Sequence, residues 1–502
     1  MIDMGDISNN FSLSEFEVTD YPSMRYRNKI QSDSIKGNVK GLVENILQPL
    51  RDCLGYPLAI NSGYRNAFLN DLVGGVKTSQ HCFDTETEIL TDNGWKRCDT
   101  ISDCDKAYTY NIDSEEIELK PINEIIRIHH EGKMYSARNK HIDVMCTDMH
   151  NVIVRYDSHK YKRKSNNVIS KSGQEYFDSL KTDNDKWHIE MMRDVFGKRR
   201  IFMTCGKTSS QNEGYDDFLH FVMAVVADGY FGFDNGGVSY VGFHVKKERK
   251  IEYLKRLMRS LGIKYSIRVT QDNEYYFRIR RNVAKDVFDI IGINKDIPYS
   301  ILGIGSENLR SLVMTYAFFD GHKDDRENST GITISSVSEH NASVLQAMCV
   351  LSGMRCVMSS RDGKRNIVRG KMVKNARRVY NLSICPNTTE SKVHEDGYSY
   401  IDYKGDVWCI RNDNDTVIIR RNGKVSIQGN CKGEAADICP YRRNKKCTEE
   451  EIMDMANTVV RLNLPFDQMG IYPDFIHISH RTDGKNRGMV FYSKNWKGGK
   501  FI

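Results

Sequence analysis

The sequence contains no hydrophobic run that approaches the roughly 18 consecutive apolar residues of a membrane-spanning helix. Its first residues, Met1–Asp6, include neither a basic stretch nor an apolar one, so we expect no signal peptide. The 13 cysteines form no C-x-x-C pair and no regular spacing, which argues against a disulfide-stapled scaffold. These absences predict a protein that is made in the cytoplasm, has no membrane segment and keeps a few thiols for reactivity.

The sequence also has no extreme net charge. The formal net charge of +7 over 502 residues is mild, and such a value is more typical of a solvated surface than of a nucleic-acid-binding one. Charged residues at 28% and hydrophobic residues at 39% describe an ordinary folded protein. A single core is not expected at this length, which favours about three domains.

Two distant stretches become one motif when the residues between them are removed. Deleting Cys82–Asn430 joins Ser79–His81 to Cys431–Asp437 and produces S-Q-H-C-K-G-E-A-A-D, in which a histidine and an aspartate flank a glycine turn. The removed segment begins with cysteine and ends with asparagine, and a second cysteine follows it. A self-excising segment needs these residue types at its ends. We therefore interpret the chain as a small hydrolase interrupted by a protein-splicing insertion.

The two flanking segments share further motifs. Ser62–Arg65 reads S-G-Y-R, Leu69–Gly75 reads L-N-x-x-V-G-G, S-x-H-x-x-G-x-A-x-D crosses the junction, and Phe475–Ser479 reads F-I-H-I-S. Together they resemble the zinc D,D-carboxypeptidase and VanY-like peptidoglycan peptidase family over nearly all of residues 1–81 and 431–502. The resemblance implies one α+β zinc peptidase that acts on peptidoglycan stem peptides and is split between the two segments.

The resemblance also implies the residues of the peptidase site. The zinc ligands are His81, Asp437 and His477, which leaves a fourth position for a water whose pKa zinc lowers to roughly 7. Arg65 corresponds to the arginine that binds the substrate carboxylate. Asp474 occupies the place of the catalytic base, although many relatives have glutamate there and the shorter aspartate reaches less far. Taken singly, each residue is also compatible with an ordinary surface or hydrogen-bonded role.

Apolar spacing predicts the elements around that site. It indicates a helix over 38–54 and a second helix over Thr448–Leu462. Phe466–Tyr472 and Phe475–Ser479 are expected to form paired strands. His480 should then face away from His477, at the surface or behind the ligands.

Four blocks of the insertion resemble the splicing blocks of inteins. Cys82–Thr91 reads C-F-D-T-E-T-E-I-L-T, Thr147–His150 reads T-D-M-H, and Val407–Ile410 and Asn422–Asn430 resemble the last two blocks. All four occur in the order found in inteins, and the last ends at Asn430, directly before the peptidase motif resumes at Cys431. The insertion is too long for a loop and about right for two domains.

The residue types indicate the first half of the splicing chemistry. Cys82 attacks the carbonyl of His81 and converts the peptide bond to a thioester, because a thiolate is both a good nucleophile and a good leaving group. Thr147 and His150 are expected to polarise and protonate the scissile peptide.

The second half uses the other end of the insertion. Cys431 takes the acyl group, Asn430 cyclises through its side-chain amide, and an S-to-N shift leaves residue 81 bonded to residue 431. Two positions depart from the intein pattern, since Gly429 replaces the usual histidine and Cys409 replaces the usual aspartate. We interpret Cys409 as a proton shuttle, in preference to an alternative acyl acceptor. The remaining explanation is that Cys409 is simply a small hydrophobic residue in the core.

An apolar segment recurs inside the insertion. Phe221–Tyr230 reads F-V-M-A-V-V-A-D-G-Y and Val313–His322 reads V-M-T-Y-A-F-F-D-G-H. Each predicts an apolar helix that ends in Asp-Gly, a pattern usually explained by a capped core helix. The repeat resembles the paired LAGLIDADG helices of homing endonucleases, which implies that Asp228 and Asp320 meet at the helix ends. Two such carboxylates can hold magnesium for phosphodiester hydrolysis.

Basic segments follow each copy of the repeat. Tyr276–Arg281 and Arg361–Arg378 are expected to form basic strands suited to double-stranded DNA. Lys246–Lys250, with Lys255 and Arg256, is expected to form a solvated helix face. Whether the nuclease still cuts stays open, although the presence of both aspartates favours activity.

The combined hypothesis is a multidomain precursor. We assign 1–81 and 431–502 to the peptidase, 82–160 and 385–430 to an all-β splicing (Hint) domain, and 161–384 to an α+β LAGLIDADG endonuclease. The alternatives are a DNA-acting protein whose host part is structural, and a hedgehog-like domain that cleaves without ligating. The Asn-Cys pair at the downstream junction argues against the second alternative. The sequence leaves carboxypeptidase and endopeptidase specificity open, and a phage-type lysin is compatible with it.

Overall fold

The protein is a multidomain α+β chain with mixed sheets. The structure, a computed structural model, describes residues 6–19, 21, 25–26, 28–30, 33–64, 82–157, 186–209, 216–323, 330–362, 367–368, 371–372, 377–429, 435–441, 447–480, 486, 488–493 and 496–497. Arg65, His81, Asn430 and Cys431 lie outside the described residues. No helix in the described ranges is long and apolar enough to cross a membrane.

Helices and strands follow one another along the described part of the chain. Helices α1 to α10 are Leu13–Phe16, Asp33–Leu42, Gln48–Leu54, Met192–Val195, Asp217–Asp228, Glu248–Ser260, Arg281–Ile291, Ser306–Asp320, Glu339–Leu351 and Glu449–Arg461. Strands β1 to β15 are Leu58–Ser62, Phe83–Asp84, Glu88–Thr91, Gly94–Lys96, Lys106–Asn111, Glu116–Pro121, Glu124–Arg138, Asp143–Thr147, Asn151–Tyr156, His188–Met191, Arg200–Met203, Gly229–Asp234, Gly237–Val245, Tyr265–Val269 and Tyr275–Ile279. Strands β16 to β29 are Gly321–Lys323, Ile332–Ser336, Arg355–Arg361, Ile367–Val368, Lys371–Met372, Val379–Cys385, Glu390–Val393, Tyr398–Arg411, Thr416–Arg421, Lys424–Gly429, Ala435–Pro440, Gln468–Ile471, Ile476–Ser479 and Met489–Tyr492.

Residues from both ends of the chain form one five-stranded sheet. Its order is β1-β26-β28-β27-β29, and only the β27–β29 pair is parallel. β1 precedes residue 82 and pairs with β26, which follows residue 430, so that Ser62 lies opposite Asp437. A hydrophobic core built from both segments, including Leu47, Ile438 and Val459, packs against this sheet. The flanking segments therefore share one fold across the insertion.

The predicted elements of these segments are present. α10 begins after Thr448, whose side chain accepts a hydrogen bond from the Glu451 N–H. The expected helix over 38–54 is α2, which continues through a π-helical turn at Val43–Leu47 into α3. The two expected strands are β27 and β28, and they pair antiparallel.

Residues 82–429, which the sequence predicts to belong to the insertion, contain a ten-stranded sheet and a closed barrel. The sheet follows the order β22-β11-β9-β25-β24-β3-β5-β6, with β10 beside β9 and β4 beside β3. The barrel consists of β2, β23, β7 and β8, and β7 and β23 pair along their whole lengths. Phe83 and Trp408 lie opposite each other on β2 and β23 and are buried in the barrel core.

Two similar units lie between these strands in sequence. In the first, α5 ends at Asp228 and leads directly into β12 of the four-stranded sheet β12-β13-β15-β14. In the second, α8 ends at Asp320 and leads directly into β16 of the sheet β16-β17-β21-β18. α5 and α8 pack against each other, as the sequence repeat predicts.

A largely buried ion pair connects β10 and β11, two strands that both pair with β9. Arg200 on β11 donates to both carboxylate oxygens of Glu190 on β10, at 2.9 and 3.1 Å, and His188 Nε2 lies 2.8 Å from the same carboxylate. Burial by itself would raise the pKa of Glu190, but the hydrogen bonds from His188 and Arg200 outweigh it and lower that pKa to about 2. Ionised Glu190 therefore stabilises the folded chain.

Glu190→Gln is expected to lower the free energy of unfolding at neutral pH by about 2 kcal/mol, because Arg200 loses its partner. The stabilisation is present above the ordinary glutamate pKa of 4.5 and is lost as the pH falls towards the folded pKa of about 2. The difference between variant and wild type should therefore shrink across that window in urea titrations.

Glu131→Gln is the control, since Glu131 forms an exposed ion pair with Lys404 and should change stability little. A difference for Glu190→Gln that stays constant from neutral to strongly acidic pH would contradict this account.

Candidate functional site

The nucleophile predicted at the upstream junction is held at the start of the barrel. Cys82 is buried and immediately precedes β2. Its N–H donates to Thr147 Oγ1 at 3.2 Å, and the Thr147 N–H donates to the Cys82 carbonyl at 3.0 Å. His150 lies one turn further on, is buried, and packs its ring 4.2 Å from the Phe83 ring. The structure thus brings the three residues of the first two predicted blocks together.

Cys409 lies directly against Cys82. Phe83 pairs with Trp408 in the antiparallel β2–β23 ladder, so the next position along each strand places Cys409 opposite Cys82. The two sulfur atoms are 3.6 Å apart, and both side chains are fully buried. A proton or an acyl group can pass between sulfurs at this distance without a change of fold.

The strand that leads to the predicted downstream junction ends beside Asn151, four residues after Thr147. Gly429 ends β25, whose Gln428 pairs with Val152 on β9. A Cβ atom at Gly429 would lie 2.7 Å from Asn151 Cβ and 3.0 Å from the Asn151 carbonyl oxygen. The histidine that inteins usually have at this position does not fit here without a shift of β9. Residues 430 and 431 lie outside the described part of the chain.

A buried charge cluster near Cys82 was not predicted from the sequence. Arg421 on β24 donates to Asp84 at 2.8 Å and to Asp143 at 2.9 Å. Burial would lower the pKa of Arg421, but the two carboxylates outweigh it and raise that pKa. The cluster connects β2, β8 and β24, and its Asp84 lies two residues after Cys82 in the chain. The only signal in the sequence was an aspartate two residues after the cysteine, which does not identify its partner.

Two of the three predicted zinc ligands meet in the five-stranded sheet. Asp437 on β26 lies opposite His477 on β28, and Asp437 Oδ1 is 2.7 Å from His477 Nδ1. Both side chains are partly exposed, with 25% and 35% of their surface accessible. Tetrahedral zinc with bonds near 2 Å holds its ligand atoms about 3.3 Å apart. A small increase in the distance between Asp437 Oδ1 and His477 Nδ1 would therefore make room for the ion. The pair therefore fits zinc, and the third predicted ligand, His81, lies outside the described residues.

The remaining peptidase predictions have different outcomes. Asp474 is exposed in the turn before β28, a position open to substrate. Of the two positions expected for His480, the surface is excluded, because His480 is buried and its Nδ1 contacts the Pro465 carbonyl at 2.7 Å. No cluster of three or more potential metal ligands occurs among the residues described.

The predicted acidic pair lies where α5 and α8 end. The protein packed around Asp320, and then the negative charge of Asp228, raise the pKa of Asp320, whereas Lys250 and Lys295 oppose that rise. The two carboxylates end helices that pack against each other, and they are close enough to interact electrostatically. Between the helices, His220 Nδ1 lies 2.6 Å from Thr315 Oγ1.

Two lysines at this acidic site were not predicted. Lys250 forms an ion pair with Asp228 and is largely buried, so the prediction that Lys246–Lys250 is a solvated helix face is wrong at Lys250. Lys295 donates to the carbonyls of Val226 and Gly229 at 3.0 and 2.9 Å. Burial lowers the pKa of Lys295 while the two aspartates oppose that change. A divalent ion that binds these carboxylates would replace part of this positive charge.

The sheet β12-β13-β15-β14 presents an aromatic and basic face. Arg278 on β15 lies 4.1 Å from the centre of the Tyr240 ring on β13, and His244 stacks on Tyr276 at 4.3 Å. Arg268 on β14 lies opposite Tyr276 and is exposed. The predicted basic strand Tyr276–Arg281 is shorter than expected, because Arg281 begins α7. Part of 361–378 lies outside the described residues.

Comparisons with known proteins match different parts of the chain. A family model for Peptidase M15 matches residues 19–112. Peptidases of this family are generally zinc-dependent. "Ribonucleoside-diphosphate reductase subunit beta" of Aquifex aeolicus (strain VF5) is 24% identical over 435 residues, which cover 81% of this chain and 58% of that protein. The chain therefore spans less than two thirds of the length of this curated relative.

Solved structures similar to part of the chain include LAGLIDADG proteins. The homing endonuclease I-DmoI in complex with DNA and Mn is 15% identical, covers 34% of this chain and 91% of that structure, and has a TM-score of 0.25. The N-terminal LAGLIDADG domain of DUF199/WhiA is 12% identical, with 34% and 78% covered and a TM-score of 0.22. Similarities at these TM-scores are too weak to assign an activity.

Proposed function

We propose that this chain is a self-splicing precursor that excises residues 82–430 and joins the flanking segments into a zinc-dependent peptidase. The observation that carries the proposal is the close approach of Cys82 to Thr147 and Cys409 at the upstream junction. The downstream strand β25 runs past the same turn, with Gly429 against Asn151. Cys82 and Gly429, the described residues next to the two junctions, therefore lie at the two ends of the short segment from Thr147 to Asn151.

The arrangement of the host supports ligation in place of simple cleavage. β1 and β26 pair across the insertion, so the host sheet is already assembled in the uncut chain. Joining residue 81 to residue 431 leaves that sheet unchanged. A folded host also keeps the two ends near each other, which raises their effective concentration for acyl transfer.

The chemistry follows from the positions of the side chains. Cys82 attacks the carbonyl of residue 81, and Thr147, hydrogen-bonded to the Cys82 N–H, together with His150 assists the departure of the amide nitrogen. Cys409 is placed to exchange a proton with the attacking sulfur. Cys431 then accepts the acyl group.

The final steps release the insertion. Asn430 cyclises to cut the branched chain, and an S-to-N acyl shift forms the peptide bond between residues 81 and 431. Because Gly429 leaves no room for the usual neighbouring histidine, the protein around the turn that contains His150 must assist cyclisation.

The similarity to the Aquifex relative supports a mobile insertion. The part of this chain that aligns to that relative exceeds the two flanking segments together by more than half the length of residues 82–430, so the alignment includes most of them. That relative is named for an activity other than peptidase, whereas the Peptidase M15 match begins in the first flanking segment. One insertion in hosts with different activities is what a mobile splicing element predicts.

The spliced host is proposed to hydrolyse peptidoglycan stem peptides. His81, Asp437 and His477 would hold zinc, which when bound polarises the scissile carbonyl and activates water. Arg65 would bind the substrate carboxylate and Asp474 would accept the proton of the attacking water.

Endonuclease activity of the insertion is the second candidate function. It is favoured by the two carboxylates at the ends of α5 and α8: burial, and then the negative charge of Asp228, raise the pKa of Asp320, and a divalent cation such as magnesium would relieve the repulsion between the two carboxylates. The exposed Arg268 and the Arg278–Tyr240 pair fit a DNA backbone.

Splicing is tested by expressing the full chain and measuring the products by mass spectrometry. We expect one product in which residues 1–81 continue directly into 431–502, and a second that contains 82–430. Cys82→Ala should abolish the ligated product, whereas Cys104→Ala, an exposed thiol, should not. The proposal is contradicted if the wild-type chain stays uncut or if the flanking segments are found as separate, unjoined fragments.

Metal binding is tested on the ligated product. Elemental analysis should find one zinc per chain, and His477→Ala should lower the zinc affinity by roughly 100-fold or more. Asp474→Asn should retain zinc but lose hydrolysis of a peptide ending in D-Ala-D-Ala. Unchanged zinc content after both His477→Ala and Asp437→Ala would rule out this site.

DNA cleavage is tested with magnesium and a duplex that encodes the host without the insertion. Asp228→Asn and Asp320→Asn should each slow cleavage by roughly 100-fold or more, because each removes a ligand of the metal. Asp286→Asn alters an exposed aspartate outside the site and should have no effect. The nuclease assignment fails if the two site variants cut as fast as Asp286→Asn.

A further inference from the structure

The hairpin that leads to the downstream junction is not free at its tip. β24 and β25 are joined by a two-residue turn in which Asn422 and Gly423 have φ of 48° and 70°, the left-handed conformation of such turns. The Gly423 carbonyl accepts hydrogen bonds from the Met358 N–H and from Gln346 Nε2, each at 2.8 Å. A Cβ atom at Gly423 would overlap the Met358 carbonyl oxygen. Met358 and Gln346 both belong to the second nuclease unit.

The same hairpin is held a second time along β24. Arg420 is buried and donates to both oxygens of Glu88 at 2.6 and 2.8 Å. It also donates to Ser343 Oγ on α9 at 3.0 Å and lies 4.7 Å from the centre of the Trp95 ring. Trp95 Nε1 donates to the Ser343 carbonyl at 3.3 Å. These contacts connect α9 to two strands of the ten-stranded sheet.

α9 is buried on every side. Every residue from Asn341 to Leu351 is buried, although only one face of a helix is needed to cover a nuclease sheet. The hydrophobic cluster that contains Leu345 also contains Ile418 of β24 and Ile427 of β25. α9 therefore packs between β18 and β21 of its own unit and the sheet that carries the splicing hairpin.

We propose that α9 and β18 of the nuclease unit position the β24–β25 hairpin for cleavage at the downstream junction. This inference rests on the proposed splicing function. The hairpin ends at Gly429, packed against Asn151, so a displacement at its tip is transmitted along a short two-stranded ribbon to the scissile bond. Cleavage depends steeply on such placement, since a misplacement of about 1 Å can cost roughly 100-fold in rate. The nuclease unit is thus a structural part of the splicing apparatus.

The test measures the two junctions separately in the full chain. Gln346→Ala removes the side-chain hydrogen bonds that Gln346 donates to the Gly423 and Cys356 carbonyls and the one that it accepts from Arg420. In a Cys82→Ala background it should slow cleavage after Asn430 roughly fivefold or more. In an Asn430→Ala background it should leave dithiothreitol-induced cleavage between residues 81 and 82 unchanged, because Cys82 is held by Thr147 in the barrel.

Asn341→Ala is the matched control on the same helix. Its side-chain amide also makes two buried hydrogen bonds, to the Ile297 N–H at 2.8 Å and the Lys295 carbonyl at 2.9 Å, but both partners lie within the nuclease units. This variant should leave the ratio of the two junction rates unchanged. If Gln346→Ala does not fold, the ratio of the two junction rates is measured in Ser343→Ala, which removes one hydrogen bond from Arg420. The same selective slowing at the downstream junction is expected.

The outcomes separate this inference from the splicing proposal. A wild-type chain that cuts at neither junction overturns both. A wild type that splices, with Gln346→Ala slowing both junctions equally or matching Asn341→Ala, overturns only the positioning role. Selective slowing at the downstream junction supports it.

Discussion

The pairing of β1 with β26 is the contact on which the rest of the molecule depends. β1 comes before the insertion and β26 comes after it, yet they are neighbours in one sheet with a common core. The insertion must therefore bring its own ends back to the same place. It does so with a short turn: Thr147 holds Cys82 at one end, and Asn151, four residues later, packs against Gly429 at the other.

Two adjacent arginines fix the strand that leads to the downstream end. Successive side chains of a strand point to opposite faces, so Arg420 reaches Glu88 and α9 while Arg421 reaches Asp84 and Asp143 behind the barrel. Buried ion pairs contribute little net stability when compared with apolar packing, but they penalise any arrangement that leaves a charge unpaired. The hairpin is thus held in one position from both sides.

Charges are also paired at the acidic centre where α5 and α8 end. Lys250 and Lys295 compensate two carboxylates that would otherwise repel each other. Lys250 occurs in a basic run that is typical of a solvated helix, and nothing in that local pattern distinguishes a lysine that faces α5 from one that faces water. Lys295 lies in a loop with no periodicity at all. Both were missed because charge partners far apart in sequence leave no local signature.

Local sequence determined the helices, the strands and the chemical character of the junctions, because apolar periodicity and reactive residue types are encoded within a few positions. It predicted the repeat that ends in Asp228 and Asp320, and the pairing of the strands around His477. Tertiary structure alone decided that Cys409 lies against Cys82, that Gly429 has no space for a side chain, that His480 is buried, and that α9 packs on the β24–β25 hairpin. These depend on contacts between residues that lie from 15 to 327 positions apart, which only the folded chain brings together.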